Sequence, residues 1–188
     1  MAEVYMKKTL SEMSLEELWQ LFPIFLTEPR SCWKEWYCEE SKRLKEKVPE
    51  AERISHIGST AIMTIWAKPI VDILVEIPPT CHLTKIKPLI IEASYLCMAE
   101  SRDRISFNKG YTEDGFAEKV FHLHLRSSGD CDELYFRDYL IKHPQVAKQY
   151  ERLKLELWKK YEHDRDGYTE AKTDFIDKVT QTAKQELL

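Results

Sequence analysis

The run from Ile70 to Ile77 constrains this chain more than any other stretch. It is almost continuously apolar, rich in β-branched residues, and fenced by Pro69 on one side and Pro78-Pro79 on the other. A short run of that kind reads as a central strand covered on both faces. Alternate residues of a strand share a face. Val71, Ile73, Val75 and Ile77 therefore suit a core, and Ile70, Asp72, Leu74 and Glu76 share the opposite side. Asp72 is out of place on so apolar a strand. A carboxylate taken out of water without a partner is costly, so Asp72 is expected to meet a metal, a cation or donor N–H groups. The plain structural alternative is a pair with Lys68 or a nearby arginine.

Helical patterns flank this strand. Ser14-Leu15-Glu16-Glu17 reads as a capping box opening a short helix that ends near Pro23. A second helix is predicted over Ser31 to Lys47, with Trp33, Trp36, Tyr37 and Leu44 as its buried stripe. Leu83 to Met98 has helical spacing. Arg104 to Phe107 and Val120 to Arg126 read as strands joined by a turn region holding Gly110 and Gly115. Asp132 is placed to cap a helix over Glu133 to Lys142, and Pro144 opens a long helix to about His163. Asp166-Gly167 is expected to break it, leaving a last helix from Thr169 to Glu186. Helices, then a small sheet, then helices again predict an α+β fold.

The chain has 188 residues and only five glycines, with no linker-like stretch, so residues 1–188 are expected to form one domain, with 1–30 as an N-terminal helical extension. With 28 basic and 32 acidic side chains the net charge is −4, which argues against nucleic-acid binding through overall charge but leaves room for a local basic pocket. No window nears the roughly 18 apolar residues that span a bilayer, so no membrane association is expected. Met1 to Leu10 has no apolar run behind Lys7 and Lys8 and is not expected to be a signal peptide. Cys32, Cys38, Cys81, Cys97 and Cys131 are odd in number and contain no Cys-x-x-Cys pair, which favours free thiols in the cytoplasm.

Two further groups bear chemistry. In His56-Ile57-Gly58-Ser59-Thr60, a glycine lets the backbone approach a ligand and the Ser-Thr pair offers hydroxyl and amide donors. Such a loop can hold a phosphate, above all if Ala61 to Trp66 form a helix whose positive end lies beside Ser59; the same tripeptide is also a common turn. His122 and His124 share one strand face, and Arg126 continues it. That stripe is open to three readings: a transition-metal site completed by Asp72, an anion pocket built from donors, or an exposed polar face. Arg102, Arg104, Lys109 and Lys119 cluster near the predicted sheet, either as an anionic-ligand pocket or as a solvated hairpin. Arg137-Asp138 reads as an ion pair tying helix to sheet. The stretch from Glu151 to Lys160 looks like a solvated face.

His56-Ile57-Gly58-Ser59-Thr60-Ala61, followed by Ala67-Lys68-Pro69-Ile70-Val71-Asp72-Ile73-Leu74-Val75, resembles the signature of the GrpB family. Phe121-His122-Leu123-His124-Leu125, Phe136-Arg137-Asp138-Tyr139-Leu140 with His143-Pro144, and Tyr150, Asp164-Arg165, Tyr168 and Lys172 extend the likeness over roughly Trp33 to Phe175. That family is placed in the nucleotidyltransferase superfamily, whose members carry a Gly-Ser loop and then a strand with two acids two residues apart that hold divalent cations. The resemblance implies a small mixed sheet packed by N-terminal and C-terminal helices. It implies Gly58 and Ser59 at a nucleotide's phosphates; Thr60, Lys68, His122, His124 and Arg126 stand beside them as candidate ligand contacts read from the residues themselves. It also implies Ser59 and Asp72 as catalytic residues, with Mg²⁺ at Asp72. The chain departs at Leu74, where the superfamily's second acid would stand, at Met63-Thr64, where Pro-Gly is usual, and at Ser55, where an acid is usual.

Leucine offers a hard cation no oxygen, and Glu76 lies roughly 13 Å beyond Asp72 along a strand, so a two-metal site in its usual form is not expected. Three functions follow as expectations: a nucleotidyltransferase-like enzyme, a non-catalytic module that binds a nucleotide or other phosphate-bearing small molecule, and a metal-binding hydrolase built on Asp72, His122 and His124. Domains similar to this one are fused to dephospho-coenzyme A kinases, which by resemblance implies an accessory role.

Overall fold

In the computed structural model, residues 8–129 and 131–186 are described; most of the Met1–Leu10 stretch read above for a leader lies outside them. A five-stranded sheet has the order β1-β2-β5-β4-β3, with β1 Arg53–Ile57, β2 Val71–Ile77, β3 Leu96–Glu100, β4 Arg104–Thr112 and β5 Gly115–Ser127. β2 runs parallel to β5, and the other neighbours are antiparallel. The apolar run is thus an inner strand, as its composition requires.

The alternation of β2 sorts the helices into two layers. Val71, Ile73, Val75 and Ile77 are fully buried and pack with Ile105, Phe107, Phe121, Leu123 and Leu125. Over them lie α2 (Cys32–Lys47), through Trp33 and Leu44, and α3 (Leu83–Glu92), through Leu83, Ile86 and Ile90. The opposite face carries the helices α4 (Asp132–Lys142), α5 (Pro144–Lys160), α6 (Arg165–Glu170) and α7 (Thr173–Gln185). There Ile62, Ile65, Phe136, Leu140, Ala147, Tyr150 and Val179 form a second cluster. The short helix α1 (Leu15–Leu21) has the expected Ser14–Glu17 capping box, and Pro23 follows its end. The segment after α1 straps the molecule: Ile24 N–H donates to the Glu162 carbonyl at 2.7 Å, Thr27 bridges Ala67, and Phe22 packs on Tyr111 and Phe116.

Several expected boundaries move. β1 was not evident, because five half-polar residues on an edge carry little periodic signal. β3 occupies part of what reads as helix over Leu83–Met98. The helix stops when Ser94, at φ +68°, turns the chain, and the strand that follows is an edge strand with most side chains exposed, so no apolar alternation marks it. β4 and β5 run on to a turn at residues 113–114, and Gly110 lies inside β4 at a register shift rather than in the turn. The long helix ends slightly before the expected point, α5 stopping at Lys160, but the break is not made by Gly167: Asp164 Oδ1 accepts from the Gly167 N–H at 2.9 Å and starts α6 across it, and a second interruption precedes α7.

Candidate functional site

The register places residues of four strands in cross-strand rows on the face away from α2. One row reads Ile57, Asp72, His122, Asn108; the next Ser55, Leu74, His124, Ser106; the third Arg53, Glu76, Arg126, Arg104. Each row has a different fate.

The first row carries the site. Gly58 follows β1 at φ +67° and ψ −170°, a conformation open essentially to glycine alone. A Cβ there would sit 2.3 Å from Asp72 Oδ2, so the loop backbone is pressed against the carboxylate. The expected helix over Ala61–Trp66 is absent. Ser59–Ala61 make a single 3₁₀ turn, so no helix dipole aims at Ser59. The loop is instead pinned by Thr60, whose buried hydroxyl donates to the Ile70 carbonyl at 3.2 Å and lies 2.9 Å from His56 Nε2. Tyr37 stacks on the His56 ring at 4.8 Å, and burial lowers the His56 pKa to about 4, which makes the ring neutral.

Asp72 finds its partner in neither Lys68 nor an arginine but in His122, with Oδ1 at 3.3 Å from Nδ1. The other ring nitrogen lies 2.8 Å from the Tyr111 hydroxyl. With Nδ1 donating to Asp72, Nε2 accepts from Tyr111. Burial holds His122 below its ordinary pKa despite the carboxylate. Burial pushes Asp72 up, but the His122 hydrogen bond and the nearby positive charges outweigh it and leave the acid ionised below its usual range.

Gly58, Ser59, Asp72 and His122 open onto a cavity of about 170 Å³ into which three lysines converge: Lys68, Lys154 from α5 and Lys172 from the α6–α7 junction. Lys68 and Lys172 approach the Tyr168 ring at 5.5 and 4.0 Å, and Lys154 approaches Tyr150 at 4.8 Å. The Tyr168 hydroxyl is buried with no hydrogen-bond partner among the described residues. Burial lowers Lys154 and Lys172 to about 7 and Lys68 to about 8. Three lysines of lowered pKa thus share one cavity with a single carboxylate.

Lys154 and Glu151 correct the expectation that Glu151–Lys160 is a solvated face. Both are buried and clamp the Trp66 peptide: Glu151 accepts from Trp66 N–H at 2.7 Å, and the Lys154 ammonium donates to the Trp66 carbonyl. The signal was present, since Ala147, Tyr150, Glu151 and Lys154 recur at i, i+3, i+4 and i+7.

The second and third rows do not line the lysine cavity. Leu74 is fully buried and packs with Ile57, Cys131 and Leu134. His124 Nδ1 accepts from Arg104 Nη2 at 2.6 Å, and burial lowers the ring to about 4. Arg126 pairs with Glu133 at 2.6 Å. Neither His124 nor Arg126 lines the lysine cavity, and among the described residues no group of three His, Cys, Asp or Glu side chains is placed to hold a metal ion. The Asp72–His122–His124 metal trio is therefore not assembled. Glu76 is wholly buried, held by Arg53 and by the Cys131 thiol at 3.3 Å. The cations expected to cluster near the sheet diverge as well: Lys109 pairs with Glu40 and Lys119 with Glu39, both on α2, while Arg104 lies on the other face. Arg137 does tie helix to sheet, but through the His56 carbonyl at 2.9 Å, while its ion pair with Asp138 stays within α4.

A family model described as GrpB protein matches residues 23–182. This chain belongs to the GrpB family. Among its relatives, the glutamate-rich protein GrpB of Alkalihalophilus pseudofirmus is 34% identical over 155 residues, covering 78% of this chain and 88% of that protein. UPF0157 protein YqkA of Bacillus subtilis is 31% identical over 157 residues, covering 81% of this chain but only 45% of YqkA. The crystal structure of the conserved protein GrpB from Enterococcus faecalis aligns with a TM-score of 0.74 at 28% identity, covering 87% of this chain and 99% of that one. A structure of the Cid1 poly(U) polymerase with Mg 3′-dATP bound aligns with a TM-score of 0.52 at 11% identity, covering 84% of this chain and 51% of that one. The last likeness establishes a nucleotidyltransferase-type fold and nothing about activity. Among the described residues no helix is long and apolar enough to cross a membrane.

The donor set fits a divalent cation only in part. Asp72 is a hard oxygen donor, whereas Leu74 and its apolar cover offer none. A two-cation site does not fit; a single cation at Asp72 would need oxygens from the ligand to complete its shell.

Proposed function

We propose that this GrpB-family chain binds a nucleotide or another phosphate-bearing small molecule, with the phosphates in the cavity between the Gly58–Ser59 loop and Asp72. The convergence of Lys68, Lys154 and Lys172 on that cavity carries the reading. Ammonium groups removed from bulk water make strong charge-assisted bonds to phosphate oxygens, and the Ser59 hydroxyl and loop amides add neutral donors. A Mg²⁺ brought in with the ligand would take Asp72 as its protein ligand and offset phosphate charge. Titration of the protein with ATP, CTP, GTP and UTP in the presence of Mg²⁺, followed by calorimetry, tests this. Binding of at least one is expected, weakened about tenfold or more in Lys172→Ala. No heat from any of the four overturns the reading.

The packing of Leu74 under Ile57, Cys131 and Leu134 favours binding over transfer. Asp72→Ala is then expected to weaken Mg²⁺-dependent binding with no turnover to lose. Metal-dependent formation of a nucleotidyl product would overturn that part.

The lysines also set a pH dependence. At pH 6 all three are charged; by pH 9 Lys154 and Lys172, lowered to about 7, are neutral. Affinity for a triphosphate is expected to fall roughly thirtyfold between those values, with proton uptake on binding near pH 7.5. Stability of the ligand-free protein should move the other way. A lysine whose folded pKa is depressed binds fewer protons folded than unfolded, so its contribution to stability rises from about pH 7 toward the ordinary 10.5. Calorimetry in buffers of different ionisation enthalpy, with urea unfolding at pH 7 and 9, checks both signs. A pH-independent affinity would mean that the lysines do not hold the anion.

A further inference from the structure

A second cavity of about 220 Å³ lies next to the lysine pocket, and Lys68 and Ile70 line both. Its character is different. Phe25, Trp36 and Phe116 supply aromatic surface, and Arg30 and Arg165 supply guanidinium groups. Phe25 and Phe116 meet edge to face at 6.1 Å, so the aromatic wall is built in part by the strap after α1. Arg165 lies over the Tyr111 ring at 5.5 Å, and its Nε is buried without a hydrogen-bond partner among the described residues. A buried donor with no acceptor is costly to leave that way. It is satisfied if a ligand places a carbonyl or ring nitrogen against it.

We propose that this slot is a ring subsite that takes the nucleobase of a nucleoside polyphosphate whose phosphates occupy the lysine pocket. The inference rests on the phosphate reading above and narrows it: the ligand carries a flat heteroaromatic ring with a hydrogen-bond acceptor on its edge. Aromatic faces hold the π-system of any base, and guanidinium groups stack on rings and donate to their edges. Lys68 and Ile70 border both cavities, so a ligand whose ring fills the slot has Lys68 beside it on the way to the phosphate loop.

The probes are the four ribonucleoside triphosphates and inorganic tripolyphosphate, each with Mg²⁺ and each measured by calorimetry on the whole chain. Stacking on an aromatic side chain is worth roughly five- to hundredfold in affinity. At least one nucleoside triphosphate is therefore expected to bind about tenfold or more tightly than tripolyphosphate. Arg30→Ala, and Arg165→Lys, which keeps the positive charge felt by Lys68 but loses the planar fork, should erase that margin and leave tripolyphosphate affinity unchanged, whereas Lys172→Ala should weaken both ligands. Trp36 should also report occupancy: its fluorescence is quenched by the nucleotide and not by tripolyphosphate, and the quench disappears in Trp36→Phe, which keeps an aromatic ring against the core. Equal affinity for nucleoside triphosphates and tripolyphosphate overturns the ring subsite and leaves the phosphate pocket standing. A margin untouched by both arginine variants and by Trp36→Phe also overturns it. No binding of either probe overturns the phosphate reading, and the ring subsite with it.

Discussion

Gly58→Ala is expected to destabilise the protein by about 4 kcal/mol and to abolish triphosphate binding in the molecules that remain folded. Two costs combine. The backbone at Gly58, with φ +67° and ψ −170°, lies where an L side chain carries strain of roughly 1–3 kcal/mol. The new methyl would also stand 2.3 Å from Asp72 Oδ2, closer than any carbon approaches a carboxylate. Asp72 cannot step back cheaply. Its backbone is inside β2, paired with Ile57 on one side and His122 on the other, and its carboxylate is held by His122. Relief requires that the β1–loop junction lift away or that Asp72 swing out of the cavity, and either change dismantles the pocket. Ser59→Ala is the comparison. It removes the hydroxyl that partners the buried Tyr150 phenol and leaves the backbone in place, so it should cost about 1 kcal/mol, well short of Gly58→Ala. Urea midpoints and calorimetry on both variants separate the effects. A Gly58→Ala protein with parental midpoint and parental affinity would show that the loop does not press on Asp72.

Much of this site was legible before any coordinates, and the parts that were not have identifiable causes. Glycine, Ser59 and Asp72 converge as their spacing implied, because a loop leading from an edge strand toward its inner neighbour brings Gly58 beside the start of β2. His122 was placed on the right face, and the parallel pairing of β2 with β5 then sets it opposite Asp72. Strand alternation alone could not separate His122 from His124, since both point the same way. What separates them is the neighbour in the row, Asp72 for one and Leu74 for the other. Lys154 and Lys172 were missed as site residues for a different reason. They come from helices remote in sequence, and a lysine in a helix reads as solvated unless its apolar stripe is traced. The helix that Ala61–Trp66 could have formed after Ser59 does not form, because in the fold Ile62 and Ile65 leave the loop to pack against α4 and α5. Edge strands β1 and β3 escaped because strands with one open edge and polar faces lack the signal that made β2 plain.

Leu74→Asp is the sharpest question that can be put to the site, because it writes in the acid that nucleotidyltransferase-like strands carry two residues after the first. The expected result is not activity but a protein less stable by about 3–5 kcal/mol at pH 8. Leu74 is fully buried; Ile57, Cys131 and Leu134 over it offer a carboxylate no donor beyond a thiol already committed to Glu76, and its row neighbours Ser55 and His124 offer only neutral donors, which leave the new charge without a counter-ion. The new acid would escape ionisation by a raised pKa. A folded pKa above the unfolded value gives stability that is complete at low pH and lost as pH rises through it, so the deficit against the parent should be smaller at pH 4.5 than at pH 8. Leu74→Asn provides a control, since it carries the polarity without the charge and should show the same deficit at both pH values. If Leu74→Asp instead folds with parental stability at pH 8 and acquires Mg²⁺-dependent nucleotidyl transfer, the apolar cover is not a barrier and the site is a transferase site one residue short. If the deficit and its pH dependence appear as stated, the middle row of the sheet is core. Asp72 then works alone, with the lysines rather than a second carboxylate–metal pair balancing the charge of the ligand.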